Sequence, residues 1–177
     1  MRLRLAADRV YPGAGCEEMT LQHCLNEYHL QFLRPMVRRG VRFLVIGGQA
    51  RFVHDGTTTR DLDLWVDISP QNRPALGQCL LEWKAKYPVH SMVDFSPPLR
   101  LRPGVQIQLP DADVWFLGRD NQPAELLFAD RIDILTSIGD ADFNEYYARA
   151  VLKPIDGQDV PFISAGDLEA ISPSTKT

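Results

Sequence analysis

Between Thr20 and Gly40, the residues Leu21, Cys24, Leu25, Tyr28, Phe32, Leu33, Met36 and Val37 recur at spacings of three and four, the period of a helix with one apolar face. Gly40 supplies a stop, and Pro35 is expected to kink the last turn. Val41 to Ile46 is a short β-rich run that ends at Gly47-Gly48, and Gln49 to His54 reads as the start of a second helix. After the polar stretch Asp55 to Arg60, acids and apolar residues alternate from Asp61 to Ile68, which predicts a strand with an acidic edge. Gln71 to Tyr87 predicts a helix that buries Leu76, Cys79, Leu80 and Trp83, with Pro88 as breaker. Val105 to Leu109, Ala112 to Leu117 and Arg131 to Leu135 read as short strands, Phe143 to Val151 as a helix and Val160 to Ser164 as a last strand. Gly166 to Ile171 begins a turn. The expected architecture is a mixed α/β (α+β) domain, a short twisted mixed sheet flanked by helices. It forms a single domain over residues 1–177 with a core of about residues 20–171, and residues 1–19 and 172–177 are peripheral.

Composition narrows the setting more than the fold. The chain has 177 residues, 45% of them apolar, which suits one domain with a real core. No apolar run approaches the roughly 18 residues of a membrane span, and the charged stretch Met1 to Val10 does not read as a secretory signal, so a cytoplasmic protein away from membranes is expected. Cys16, Cys24 and Cys79 form no CxxC pair and read as reduced thiols. The net charge of -4 is uneven: residues 1–109 carry 14 Lys and Arg against 10 Asp and Glu, and residues 110–177 carry 5 against 13. A basic N-terminal half could help bind a nucleotide or RNA, although an ordinary scattered basic surface is the commoner explanation.

The candidate chemistry lies where the second strand follows the glycine pair. Residues two apart in a strand face the same way, so Asp61 and Asp63 present two carboxylates about 6–7 Å apart at Cα. Such a pair repels itself unless a cation intervenes, which makes it a seat for Mg²⁺ or Mn²⁺. Gly47 and Gly48, lacking Cβ atoms, let backbone N–H groups and a helix N-terminus approach a triphosphate. Arg60 is read as a phosphate contact, with pairing to a neighbouring acid as the alternative. A site that transfers phosphoryl groups calls for a third carboxylate. Asp133 is the choice because it stands alone in an apolar strand, where burial is costly unless the carboxylate faces a polar site; Asp113 is the competitor. His23, His29, His54 and His90 show no ligand spacing, although His54 lies close to the glycine–aspartate segment. Trp65, Trp83 and Trp115 read as core residues.

Ile46-Gly47-Gly48-Gln49-Ala50 followed by Thr59-Arg60-Asp61-Leu62-Asp63-Leu64 resembles the nucleotidyltransferase superfamily of DNA polymerase beta type, above all its minimal and AbiEii-like toxin members. Arg131 to Ile138, Asp142-Phe143 and Val160 to Leu168 also resemble later parts of such proteins, so the likeness runs from about Val41 to Ile171. The resemblance implies the nucleotidyltransferase fold and a transferase that moves a nucleoside monophosphate from an NTP to a hydroxyl. It also implies metal ions held by Asp61, Asp63 and Asp133, these three as the catalytic residues, and Gly47, Gly48, Thr59 and Arg60 as the nucleotide-binding set. The acceptors in such families include tRNA, proteins and small molecules, and toxin members of toxin–antitoxin systems have an antitoxin protein as partner.

This sequence departs from the family pattern in places. Gly48 replaces a common serine, Thr57 stands where many relatives have arginine, and the lysine-bearing segment expected near the end is missing, with Lys176 isolated. A minimal or truncated relative is therefore expected. The alternatives are a nucleotide-binding or protein-interaction module without turnover, and a structural domain with a coincidental acidic strand.

Overall fold

The computed structural model describes residues 25–56, 61–86, 95–109 and 131–172. Thr57, Thr59, Arg60, Asp113, the Ala112–Leu117 strand, Trp115, Cys16, Cys24, His23, His90 and Lys176 lie outside the described residues, as do the N-terminal arm and the last five residues.

The first helix, α1, spans Glu27–Arg38 and begins later than Thr20, because the Asn26 side chain accepts a hydrogen bond from the His29 N–H at 2.9 Å and so caps it. It buries His29, Leu30, Phe32, Leu33 and Met36 and carries Pro35 in its last turn. After it, β1 (Phe43–Ile46) is buried at all four positions, the signature of a strand covered on both faces. The helix α2 (Gly47–Asp55) starts at the glycine pair itself rather than at Gln49, and Gly56 in the left-handed region closes it. β2 (Leu62–Val66) is shorter than the Asp61–Ile68 alternation, since Asp67 turns away to bond Arg42 and Ser69. α3 (Arg73–Lys86) buries Leu76, Cys79, Leu80 and Trp83 as their spacing implies, and Gly77 with them.

β3 (Gln106–Leu109) and β4 (Ile132–Leu135) follow, then α4 (Phe143–Ala148). The expected helix from Phe143 to Val151 is cut short. Its last residue opens β5 (Val151–Ile155), which returns through the Asp156-Gly157 turn to β6 (Gln158–Phe162); of this hairpin the sequence predicts only the Val160–Ser164 strand, which overlaps β6. Pro154 within the run masked β5, and the position is tolerated because β5 is the edge strand of the hairpin. The segment after Ser164 is a helix, α5 (Ala165–Ile171), rather than a turn, and the Ser164 hydroxyl accepts from the Asp167 N–H.

The described residues thus form a mixed α/β structure, a six-stranded mixed sheet with five helices, in the order β3-β4-β2-β1-β6-β5. β1 runs antiparallel to β2 and parallel to β6; β2 runs parallel to β4; β3–β4 and β5–β6 are antiparallel. Side chains opposite one another in register share a face. One face therefore carries Phe43, Val45, Leu62, Leu64, Val66, Ile132, Ile134 and Ile107, all at or below 5% exposure. The other carries the odd-numbered residues of β2, and its Trp65 packs edge-on against Phe143 and Tyr146 of α4. α1 and α3 meet through Phe32 and Trp83. Among the described residues no helix is long and apolar enough to cross a membrane.

Candidate functional site

Asp63 sits in the middle of the sheet, flanked in register by Ile46 of β1 on one side and Asp133 of β4 on the other. A separation of seventy residues in the chain thus becomes one step between neighbouring parallel strands. β2 and β4 each carry one carboxylate among apolar neighbours, Leu62 and Leu64 for Asp63, and Ile132 and Ile134 for Asp133. The apolar residues go to the core face, and the acids are left together on the other.

The glycine pair closes the same spot from the end of β1. Gly47 has φ +63, and a Cβ added there would stand 2.0 Å from Asp63 Oδ2. Both the backbone conformation and the close approach therefore require glycine. The next residue uses that approach, because the Gly48 backbone N–H donates to the Asp63 carboxylate. α2 has no side-chain cap at Ile46 and no acid in its first turn, so a carboxylate from β2 receives the positive end of the helix. α2 in turn lies against β1, β2 and α5, and His54 near its end bonds the Ile163 carbonyl through Nε2 at 2.8 Å. His54 thus anchors the helix rather than facing the acids.

The electrostatics of the cluster are unfavourable to its own charge. Burial, then Asp133, then Asp61 push the Asp63 carboxyl up to about 6, against the opposing effects of the Gly48 N–H and Arg131. Asp133 is only 6% exposed, and its Oδ1 is buried without a hydrogen-bond partner. A buried anionic oxygen left unpaired costs several kcal/mol, on the order of 1–3 even for neutral groups. Among the described residues, the cation paired with these acids is Arg131, two residues before Asp133 on the same strand side. Its Nη2 stands 3.2 Å from Asp61 Oδ2 and 3.9 Å from Asp133 Oδ2. Asp61 first, then Asp133, favour the charged form of that guanidinium.

Of the residues singled out by sequence, Gly47, Gly48, Asp61, Asp63 and Asp133 are therefore neighbours in space. Arg131 was overlooked, although its two-residue spacing from Asp133 places it on the same side of the strand. Gln108, opposite Asp133 in the β3 register and exposed, was overlooked too, and nothing in its surrounding sequence marks it. Asp67, third acid of the alternation with Asp61 and Asp63, belongs instead to the scaffold. It is paired with Arg42 at 2.7 Å and with Ser69, while the buried Asn72 ties Asp67 and Arg42 together through their backbones.

Neither protein-family models, nor characterised proteins, nor solved structures give a match to this chain. The site must be read from its own chemistry.

As they stand, no three His, Cys, Asp or Glu side chains among the described residues are gathered so as to hold a metal ion. Asp61, the third acid nearby, accepts a hydrogen bond from Arg131 at 3.2 Å. Asp63 and Asp133 do fit a divalent cation as donors. One is driven toward its neutral form by burial and its acidic neighbours, the other carries a buried oxygen without a partner, and a hard cation relieves both.

Proposed function

We propose that this protein is a metal-dependent nucleotidyltransferase, moving a nucleoside monophosphate from an NTP to a hydroxyl of an acceptor such as tRNA, a protein or a small molecule. The observation that carries this reading is the direct register of Asp63 with Asp133, with the Gly47-Gly48 backbone pressed against the Asp63 carboxylate. The order of elements supports it: strand, glycine-started helix, antiparallel acidic strand, then a parallel strand with a further acid beside it. Taken with the resemblance of the Gly-Gly and Asp-x-Asp segments, this favours a site for a nucleoside triphosphate with Mg²⁺ or Mn²⁺. Asp63 and Asp133 would hold the ion, and Asp61 would join them on leaving Arg131.

A divalent ion, when bound, supplies charge neutralisation on the phosphates and on the attacking oxygen. The chain itself contributes the rest. The α2 N-terminus offers backbone N–H groups to phosphate oxygens, Gly47 keeps that approach free of side chain, and Arg131 adds a half-exposed guanidinium at the mouth of the site. Asp133 is buried beside Asp63 and is the group to which an acceptor hydroxyl would give its proton. Thr59 is assigned to the nucleotide by resemblance alone, as is the toxin-type setting with an antitoxin partner; Arg60 is assigned to it also by its place beside Asp61, and the cytoplasmic setting comes from the sequence composition.

Incubation with each α-labelled NTP, Mg²⁺ or Mn²⁺, and bulk tRNA or lysate tests the reading. Label transfer by the wild type that falls at least a hundredfold in Asp61→Asn/Asp63→Asn is expected; transfer that survives this double substitution removes the metal assignment. The second reading, a module that binds NTP without consuming it, is favoured by Arg131 lying across Asp61 and Asp133 where an ion would bind. It predicts bound but intact nucleotide.

A further inference from the structure

The carboxylate cluster already contains a cation of its own. Arg131 Nη2 stands 3.2 Å from Asp61 and 3.9 Å from Asp133, and its side chain is 50% exposed. It is therefore tethered by its strand position while its head reaches solvent. Asp133 is the contrast: 8% of its side chain is exposed, and Oδ1 has no partner at all. The guanidinium reaches only one edge of the buried acid and leaves the inner oxygen bare. That buried oxygen remains for a smaller group than a guanidinium to satisfy.

We propose that Arg131 is a resident counter-ion that bridges Asp61 and Asp133, and that a divalent cation must displace it from the acids to bind. This rests on the metal-dependent reading above and adds a gate to it. In the ion-free protein the guanidinium limits repulsion among three carboxylates and occupies the side of Asp61 and Asp133 that an ion would take. When a divalent cation enters, Asp61 exchanges Arg131 for the ion, and the guanidinium swings outward, where phosphate oxygens are its natural partners. Two contacts to a half-exposed arginine are weak, so the gate sets the affinity of the site without locking it.

The experiment is a Mn²⁺ titration of the full chain, followed by the electron spin resonance of free Mn²⁺. It compares wild type, Arg131→Gln, Arg131→Lys and Asp63→Asn, with Arg51→Gln as a control that removes one positive charge from the exposed face of α2. Arg131→Gln is expected to bind Mn²⁺ about two- to fivefold more tightly than wild type, the range that loss of a weak competing ion pair allows, and Arg51→Gln less than twofold. Arg131→Lys, which keeps the charge without the planar fork, should fall between wild type and Arg131→Gln. Circular dichroism confirms that each variant is folded, and a variant that is not folded is replaced in the comparison by Arg131→Met. An affinity in Arg131→Gln equal to or below that of wild type, or a gain no larger than in Arg51→Gln, overturns the gate and leaves the metal site standing if Asp63→Asn abolishes binding. Absence of Mn²⁺ binding in every variant overturns the metal-dependent reading itself, and the gate with it.

Discussion

Replacing Gly47 by alanine tests the central claim that the glycine pair and the acidic strand are built against one another. Two costs are expected. The first is the backbone: at φ +63 an L-residue gives up about 1–2 kcal/mol. The second is the side chain, because the new Cβ would lie 2.0 Å from Asp63 Oδ2 and 2.8 Å from its carboxyl carbon. The carboxylate must swing aside and lose the Gly48 N–H, a charge-assisted bond worth about 1.5–3 kcal/mol. Gly47→Ala should therefore cost about 3–4 kcal/mol. Gly40→Ala provides the reference, since Gly40 has nearly the same φ, +64, and nothing within 4 Å of its Cβ position. Only the backbone cost applies there. Urea unfolding followed by circular dichroism should place the two variants about 2 kcal/mol apart, or roughly 4–8 °C in Tm for a chain of this length. In an Asp63→Ala background the difference should shrink to well under 2 kcal/mol, because the carboxylate is gone and only the Cβ of residue 63, at 3.0 Å, remains close. If Gly47→Ala costs no more than Gly40→Ala, or costs the same with and without Asp63, the packing of the glycine turn on that carboxylate is refuted.

The Asp63 carboxyl should titrate near 6 in metal-free protein, read by carboxyl-carbon NMR, and a value at or below about 4.5 would contradict the burial argument. For an acid whose native value lies above its unfolded one, the native state holds the extra proton between about pH 4 and 6. Stability therefore falls as pH rises through that window, with the full penalty present above it. Asp63→Asn should accordingly be more stable than wild type by about 2–3 kcal/mol at pH 7.5 in EDTA and no more stable near pH 3.5; equal stabilities at pH 7.5 would remove the effect. Arg42→Ala should lose about 2–4 kcal/mol in denaturant unfolding, because it strips the buried Asp67 of its partner and uncovers Phe143 and Tyr147, over which the guanidinium lies at 5.4 and 4.7 Å; a loss under 1 kcal/mol would demote that pair to ornament. Ile134→Ala, on the core face beside Asp133, should cost about 2–5 kcal/mol by the same assay, and a cost below that would mean the core face is loosely packed.

The sequence by itself determined the local periods. Leu62 and Leu64 against Asp61 and Asp63 could only form a strand with acids on one face, because successive side chains in a strand alternate. Leu76, Cys79, Leu80 and Trp83 could only form the buried stripe of a helix. Its errors fell where period gave no signal. The β5–β6 hairpin carries a proline in each strand and partly exposed residues, and α5 is seven residues long, too short for its spacing to speak, so only the Ser164 cap reveals it.

What the tertiary structure decided was which acids meet. Asp67 belongs to the same alternation as Asp61 and Asp63, yet it is consumed by Arg42 and Ser69 at the strand end, whereas Asp133, seventy positions from Asp63, becomes its direct neighbour. The difference comes from strand pairing: β4 aligns with β2 in parallel because their apolar faces, Leu62 and Leu64 with Ile132 and Ile134, bury together, and the acids follow in register. The role of Arg131 is a product of that register as well, since its distance from Asp61 is set by two strands that only folding brings side by side.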